Sequence, residues 1–464
     1  YYNVAVGASA LSANTTAISN TAVGYSALAA NTTGTGNVAV GSGTSDANTD
    51  GDYNIAVGNG ALGSDTRGNF STAIGHAALN SQNTTNDTDM YNTAVGYLAG
   101  TLVTTGVQNT FVGGLSGDSI TTANSNVAVG YNTLSTNTVG HRNTAIGENA
   151  LATHNVASAA NTYNTAVGYS AGVDITTGVQ NTLIGGLAGD AITTGAYNTA
   201  VGTSALGANT TASYNTAVGG LALTVNTTGA ENVAVGMNTL DSNTTGANNT
   251  GLGTGALQSN TTASNNTGLG HNALFANITG TVNVAVGTSA LAANTTASYN
   301  TALGYAALTT NITGAQNTAV GYSALTLATG ADNTAVGSQA LASVAAGTFN
   351  TALGRSAGQG LTTGIENTLI GALAGDSLTD ADYNVAIGYL ALSGDTKGSR
   401  SIAIGRNALQ VQNFTSATNS YNVAIGFQCG DSVTTGVNNT IIGSLAGDAI
   451  TTGAANTIVG YNIA

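Results

Sequence analysis

The chain of 464 residues has no proline, no tryptophan, one cysteine and only six lysines and arginines, against 20 aspartates and glutamates. A single cysteine excludes an internal disulfide framework. A formal net charge of −14 leaves too few cations to neutralise phosphates, so nucleic acid is not an expected partner. No apolar run approaches the ~20 residues that a membrane-spanning helix requires, so membrane insertion is not expected either.

What the chain has in abundance is one five-residue phrase, Asn-Thr-Ala-Val-Gly, which first appears in that form at Asn20–Gly24. It returns in 27 copies, with Gly always at the fifth position and Val, Ile or Leu always at the fourth. Successive copies lie about 17 residues apart, a fixed period that is typical of a repeat architecture. The steps from Ser71, Asn143 and Ser401 are longer by four, and the step from Asn317 is shorter by one. We number the positions of each repeat from this Asn.

The repeat Asn20–Gly36 reads NTAVG YSAL AA NTTG TG. Thr-Ala-Val and Tyr-Ser-Ala-Leu are short β-rich runs and Asn-Thr-Thr-Gly is a turn, which leaves no room for a helix of ~10 residues. We therefore predict an all-β fold, a single-chain parallel β-solenoid (β-roll) of about 27 coils in one domain spanning residues 1–464. Coils ~4.8 Å apart would make a rod roughly 130 Å long. Neither end carries a capping unit, so we expect a segment of a longer chain.

Each recurring residue predicts a structural role. The position-five Gly should form a tight corner with positive φ. The position-one residue is Asn in 25 of 27 copies, with Ser71 and Ser401 the exceptions, and should form a ladder of stacked amides. The position-four aliphatic is expected to point into the coil. Position three would then face outward as an alanine-rich stripe, an expected self-association surface.

A second type of repeat exchanges two core positions. Most copies have Leu at position nine, and the commonest residue at position twelve is Asn, such as Leu28 with Asn31. Eight copies, in four adjacent pairs, instead have Gly at nine and an aliphatic at twelve, as constant core volume demands. They are Gly100 with Val103, Gly117 with Ile120, Gly172 with Ile175, Gly189 with Ile192, Gly358 with Leu361, Gly375 with Leu378, Gly430 with Val433 and Gly447 with Ile450. Residues 54–134 also align with residues 384–464, which indicates growth by copying of blocks.

The phrases NVAVG, NTAIG and NVAIG, followed by Ser-Ala-Leu, resemble the head repeats of trimeric autotransporter adhesins, the YadA-like family, and similar arrays occur in tail-fibre-like proteins of phages. The resemblance covers essentially the whole chain. It implies a left-handed β-roll, an extracellular location at a cell surface, a trimeric assembly and attachment to surfaces. The chain departs from the family in its longer period, about 17 residues against about 14. It also shows no heptad stalk and no membrane anchor.

The sequence predicts no catalytic site. The histidines His76, His141, His154 and His271 have no partnered carboxylate and nucleophile at an interpretable spacing, and we interpret them as surface substitutions. The stretch Gly251–Gly255 lacks the helix that a dinucleotide-binding loop requires. An enzyme is therefore not expected. Cys429 stands where most repeats have Ala, which favours a small buried side chain over a reactive thiol.

One acidic turn has the spacing of half a calcium loop. Asp46, Asn48, Asp50 and Asp52 offer oxygen ligands at alternate residues, but the twelfth place, where a bidentate Glu belongs, is Val57. The alternative is an acidic turn paired with a cation one coil away. Asp50 shares position fourteen with Arg67, and Asp380 shares it with Lys397. We favour the ion pairs, with calcium as the weaker candidate cofactor.

Nine asparagines at position twelve carry the Asn-x-Thr pattern of N-glycosylation. Because they fall in one column, a ladder of amides and hydroxyls that closes the turns is the alternative interpretation. The candidates are Asn14, Asn31, Asn209, Asn226, Asn243, Asn260, Asn277, Asn294 and Asn311.

Two functions remain from different classes. The first is a structural extracellular rod, the shaft of a surface fibre or filament built by homo-oligomerisation. The second is an adhesin head or tail-fibre segment that binds a surface receptor or glycan, for which the insertions near Asn86, Asn155 and Ser416 are the obvious breaks in the pattern. An ice-binding face is not expected, because position two is Thr in only 18 of 27 copies.

Overall fold

The computed structural model describes residues 2–463, so Tyr1 and Ala464 of the predicted domain lie outside it. The chain divides into two compact units, Tyr1–Asn232 and Val233–Ala464, which we describe separately. Every regular element within residues 2–463 is a β-strand. That range contains no helix long and apolar enough to cross a bilayer. Continuity of one domain across residues 1–464 stays a prediction.

In the first unit each repeat contributes one three-residue strand, formed by positions two to four. Their bounds are Val4–Val6, Thr21–Val23, Val38–Val40, Ile55–Val57, Thr72–Ile74, Thr93–Val95, Thr110–Val112, Val127–Val129, Thr144–Ile146, Thr165–Val167, Thr182–Ile184, Thr199–Val201 and Thr216–Val218. The two longer repeats of this unit add pairs of two-residue strands, Gly68–Asn69 with Thr88–Asp89 and Gly140–His141 with Ala160–Asn161.

The second unit repeats the arrangement. Its three-residue strands are Val233–Val235, Thr250–Leu252, Thr267–Leu269, Val284–Val286, Thr301–Leu303, Thr318–Val320, Thr334–Val336, Thr351–Leu353, Thr368–Ile370, Val385–Ile387, Ile402–Ile404, Val423–Ile425, Thr440–Ile442 and Thr457–Val459. Its longer repeat adds Gly398–Ser399 paired with Thr418–Asn419.

Strands of successive repeats within each unit pair in parallel, position for position. Thr21 pairs with Val38 and Ala22 with Ala39 in the first unit, and Thr351 pairs with Thr368 in the second. One repeat of the sequence therefore equals one turn of the chain. This confirms the predicted all-β parallel β-solenoid with one coil per repeat and about 27 coils.

The second β-rich run, Tyr-Ser-Ala-Leu, is a turn segment and not the strand that the sequence predicts. Ser26 at position seven has φ 53° and Leu28 at position nine has φ 50°, so the backbone alternates through the left-handed region and cannot extend. Its amides still bond between coils, Ser26 N–H to Ala8 O at 2.9 Å and Leu28 N–H to Thr44 O at 3.1 Å. These bonds offset the cost of left-handed non-glycine residues.

The position-five glycines form the corner after each strand, as predicted. All 27 have positive φ, from 124° at Gly147 to 152° at Gly460. Their backbones also pack directly against the next coil. A Cβ placed on Gly185 would lie 2.6 Å from the carbonyl oxygen of Gly202. Both the conformation and the contact therefore require glycine here.

Adjacent glycines give a matched test of this requirement. Gly185→Ala should lower the free energy of unfolding by about 2–4 kcal/mol, because the methyl group meets backbone that cannot move aside. Gly186→Ala should change it by less than about 0.5 kcal/mol, since nothing lies within 4 Å of a Cβ there. Chemical denaturation of both variants measures the difference, and equal losses would contradict the role of Gly185.

Two ladders of buried asparagine side chains run through the coils. At position one, the Oδ1 of Asn20 accepts the N–H of Asn37 in the next coil at 2.8 Å, and its Nδ2 donates to Gly34 O at 2.8 Å. At position twelve, the Nδ2 of Asn48 donates to the Oδ1 of Asn31 at 2.9 Å and to Gly51 O at 3.1 Å. The predicted amide ladder is confirmed, and a second one accompanies it.

The predicted directions of positions three and four are wrong. Ala22 and Ala39 at position three are fully buried, whereas Ile184 at position four is 41% exposed. The two side chains do face opposite sides of the strand, as predicted, but the inward side has room only for a small residue. Position three faces the buried Leu of position nine, and a small side chain fills the space that remains. The outward stripe is therefore aliphatic and not alanine-rich.

The exchange between positions nine and twelve is confirmed, and position three takes part in it. Val103 and Ile120 are fully buried at position twelve. Phe111 at position three is also fully buried, between Gly100 and Gly117, where added Cβ atoms would lie 2.6 Å and 2.4 Å from its ring. The second coil of each pair carries such a residue at position three: Phe111, Leu183, Leu369 and Ile441.

Complementarity between Gly172 and Leu183 predicts coupled effects of mutation. Leu183→Ala should cost about 2–4 kcal/mol through the cavity it leaves. Gly172→Ala should also destabilise the fold for two reasons. The added Cβ would lie 2.6 Å from Leu183 Cδ1, and Gly172 itself has a positive φ of 58°. In the double variant the new methyl enters the cavity, so the loss in unfolding free energy should fall short of the sum by about 1 kcal/mol or more. Additive losses in chemical denaturation would refute the packing.

Candidate functional site

Each unit has an exposed apolar surface, its outer sheet face, defined as the side chains at strand positions two and four. No position-four side chain within residues 2–463 is buried, and position two is Thr, Val or Ile. Val112, Ile146 and Ile184 are 37%, 38% and 41% exposed in the first unit, and Leu303 and Leu353 are 48% and 49% exposed in the second. A continuous patch of this kind is typical of an interface.

Short columns of two or three aromatic side chains flank some of the strands, at position six and at the last position of the repeat. The rings stack between coils at centroid distances of 5.5 Å for Tyr53 with Phe70, 5.3 Å for Phe70 with Tyr91 and 4.9 Å for Tyr197 with Tyr214. Stacking in register follows from the coil spacing and stabilises each column.

Three arginines lie within these aromatic columns, which the sequence analysis missed. The Arg400 guanidinium lies 5.0 Å from the Tyr383 ring and 5.7 Å from the Tyr421 ring. Arg406 lies in the same way between Tyr389 and Phe427, at 5.8 Å and 5.9 Å. The third, Arg142, lies 5.6 Å from the Tyr163 ring. Arg400 and Arg406 each have an aromatic residue at the same repeat position in the coil before and in the coil after. An alignment of the repeats could therefore have predicted these cation–aromatic contacts.

The two predicted ion pairs are confirmed. Arg67 Nε lies 3.5 Å from Asp50 Oδ1, and Lys397 Nζ lies 3.6 Å from Asp380 Oδ2. All four side chains are about 40–50% exposed, so each pair contributes only about 0–1 kcal/mol. Each pair neutralises one acid with the cation one coil away.

The calcium candidates do not converge. Asn48 belongs to the buried ladder, Asp50 pairs with Arg67, and Asp52 Oδ1 accepts the N–H of Thr35 at 2.6 Å. Asp46 lies apart from them, beside Gly43 at the surface. Within residues 2–463 no group of three or more His, Cys, Asp or Glu side chains is arranged to hold a metal ion.

The structure favours the ladder over glycosylation at position twelve. Of the nine candidates only Asn14 is partly exposed, and the amide nitrogens of the other eight are buried donors to the backbone. A glycan on such a nitrogen would break the coil around it. The eight are Asn31, Asn209, Asn226, Asn243, Asn260, Asn277, Asn294 and Asn311.

Asp65 replaces asparagine in the position-twelve ladder and starts a buried polar cluster. Its carboxylate accepts the Nε2 of Gln82 and the N–H of Gly68. Gln82 also bonds Ser71 and Asn92. Burial raises the pKa of Asp65, and these donors oppose that rise. Asp395 and Gln412 form the same bond in the second unit. The sequence signal for this cluster is therefore an aspartate at position twelve of one repeat, followed by a longer repeat that has glutamine at position twelve.

The thiol of Cys429 is buried as predicted, with its Sγ 3.1 Å from Ile441 O. Burial raises the pKa of Cys429. A protonated thiol packed in the core is not a nucleophile.

His154 is not the surface substitution that the sequence suggests. It replaces asparagine at position twelve, is fully buried, and neither ring nitrogen makes a hydrogen bond within residues 2–463. Its ring lies near Gly140 of the preceding coil. Burial lowers the pKa of His154 from 6.5 to about 4, and the backbone at Thr176 only partly opposes the shift. His76 and His271 are exposed, and His141 Nδ1 accepts the N–H of Asn124.

The buried imidazole predicts acid sensitivity. Above pH 6.5 His154 is neutral in both states; as the pH falls from 6.5 towards 4, only the unfolded chain takes up the proton, and stability is lost. At pH 4.5 the loss should be about 2–3 kcal/mol. His154→Asn should abolish this component and restore a ladder donor, whereas the exposed His271→Asn should not. Denaturation midpoints at pH 7 and 4.5 give the comparison, and an equal acid loss in both variants would refute it.

Comparison with models of known protein families, with curated proteins and with solved structures found no match to this chain. A function for this chain must therefore be inferred from its own sequence and geometry.

Proposed function

We propose that this protein is a structural shaft, a segment of an extracellular surface fibre or filament, whose coils associate side by side with other copies of the chain. The observation that carries the proposal is the outer sheet face. Its aliphatic position-four side chains are exposed or partly exposed in every coil of both units, while the buried positions are already filled. The extracellular location rests on the resemblance to adhesin head repeats.

A second copy is the occupant that suits this face best. Side chains on it recur once per coil, at the ~4.8 Å spacing of paired strands. Only a partner with the same spacing can repeat one favourable contact along the whole face, and another copy of the chain has that spacing. The face also carries no charged residue at positions two and four, so like copies do not repel one another there.

The alternative function, recognition of a receptor by the insertions, has less support. The regions near Asn86, Asn155 and Ser416 are exposed, but each is tied to the preceding coil by a pair of two-residue strands. Each extends its own coil locally, and the two insertions of the first unit lie four coils apart. We therefore retain the shaft as the proposed function.

Charge placed on the outer sheet face tests the proposal. The triple variant Val112→Lys, Ile146→Lys, Ile184→Lys should stay monomeric at concentrations where the wild type associates, because burying three ammonium groups is unfavourable. The control Thr122→Lys, Thr177→Lys, Thr194→Lys adds the same charge at exposed position-fourteen sites and should associate as the wild type does. Light scattering over a concentration series measures both. A wild type that is monomeric throughout, or identical behaviour of the two variants, would refute the proposal.

A further inference from the structure

A polar groove of about 530 Å³ lies on the first unit, outside the outer sheet face. It crosses the four coils that begin at residues 20, 37, 54 and 71. That volume lies within the range of small-molecule sites, roughly 300–1,000 Å³. Its principal side chains are Tyr25, Ser42, Asp46, Asn59, Ser64 and Asn80.

Ring side chains at position six bound the groove at its two ends. Tyr25 and His76 occupy this position in the outer two of the four coils, and His76 stacks on Tyr97 at 5.5 Å. The two coils between them carry the smaller polar residues Ser42 and Asn59. Three coil steps separate Tyr25 from His76, about 14 Å at ~4.8 Å per coil. The stretch between the two rings is thus long enough to receive a ligand lengthwise.

Glycines deepen the groove where the backbone does not require them. Gly43 and Gly60 have φ 60° and 68° at position seven, a conformation that Ser26 adopts at the same position with φ 53°. Gly63 lies at ordinary φ, and a Cβ there would lie 2.9 Å from the Asn80 amide nitrogen, so this glycine makes room for that amide. Gly43 and Gly60 leave space that the fold itself does not demand.

The equivalent coils of the second unit have this space filled. When the alignment of the first unit with the block 384–464 is extended back by one coil, Gly43, Asn59 and Gly60 correspond to Leu373, Tyr389 and Leu390. Leu373 and Leu390 adopt φ 58° and 57°, so the same backbone accepts a large side chain at position seven. The groove is a property of the first unit's surface residues and not of the coil.

The polar atoms of the groove are suited to hydroxyl groups. The Asp46 carboxylate makes no hydrogen bond or ion pair within residues 2–463, so both oxygens can accept from adjacent hydroxyls. Asn59 Nδ2 bonds Ser42 O at 3.1 Å and Asn80 Nδ2 bonds Gly60 O at 2.7 Å. These bonds hold the two amides in place and leave their Oδ1 atoms to accept. Tyr25, 64% exposed, offers an apolar ring face at one end.

We propose that this groove binds a neutral saccharide of one or two hexose units. The C–H face of a pyranose would pack on Tyr25, adjacent hydroxyls would donate to Asp46, and Asn59 and Asn80 would bond the remaining hydroxyls. The groove contains no lysine or arginine to attract an anionic sugar or a phosphate. Its single carboxylate falls short of the six to eight oxygen ligands typical of calcium. Saccharide binding goes beyond the shaft function and does not depend on it.

Saturation-transfer NMR of the full chain with cellobiose, lactose and maltose tests the proposal. At least one of the three should receive saturation from the wild type. Gly60→Leu, which copies Leu390, should reduce the transfer at least ten-fold by filling the groove, and Asp46→Asn should weaken it by removing the paired acceptor. Tyr131→Ala removes an exposed position-six ring outside the groove and should leave transfer unchanged.

Several outcomes would overturn the proposal. These are no transfer to any of the three sugars, equal transfer to the wild type and Gly60→Leu, or stronger binding of the anionic sialyllactose. Calcium binding that Asp46→Asn abolishes, without sugar binding, would also overturn it. The unfolding temperature of Gly60→Leu should match the wild type, since Leu390 occupies the same backbone. Light scattering of Gly60→Leu separates this result from the shaft proposal, because self-association should persist when saccharide binding is lost.

Discussion

The close approach of successive glycine backbones at position five is the contact on which the rest of each unit depends. With the next coil's carbonyl oxygen where a side chain would begin, one strand can follow another only in parallel and in register. Every other position then forms a column, so a position-one asparagine meets the N–H of the next coil, as Asn164 meets Asn181 and Asn181 meets Asn198. The ladders supply hydrogen-bond partners to buried backbone N–H and C=O groups. Without the ladders these groups would be unpaired, which is unfavourable inside a protein.

The second constraint is the small volume inside a coil. Leu at position nine and Ala at position three fill it in most repeats. A larger side chain in one column therefore requires a smaller side chain in another. Phe111 reaches the space above both Gly100 and Gly117, which belong to successive coils. A large residue at position three therefore needs two glycine coils together, and this explains why such coils occur in adjacent pairs and never singly.

Features that depend on columns could be predicted from the sequence, because residues one period apart must meet. The solenoid, the corner glycines, the amide ladder and the Asp50–Arg67 pair are of this kind. The directions of positions three and four could not be read from hydrophobicity, since Ala and Val are both apolar. The inward direction of position three was indicated instead by its large residues, which occur in the repeats that have glycine at position nine. The burial of His154 was missed because the asparagines of its column were interpreted as turn residues and the column was not treated as interior.

Column geometry also limits what the surface can carry. Like charges one coil apart, about 5 Å, repel by roughly 1 kcal/mol in water and by more near a protein surface. Accordingly, Arg67 lies against an acid and Arg400 lies between aromatic rings. Where acids do lie one coil apart, burial and the neighbouring Asp448 raise the pKa of Asp431. The outer sheet face carries no charged residue at positions two and four, which suits association with an identical face better than recognition of an irregular partner. A specific ligand requires instead a place where the surface side chains leave room for it, such as the groove between Tyr25 and Asn80.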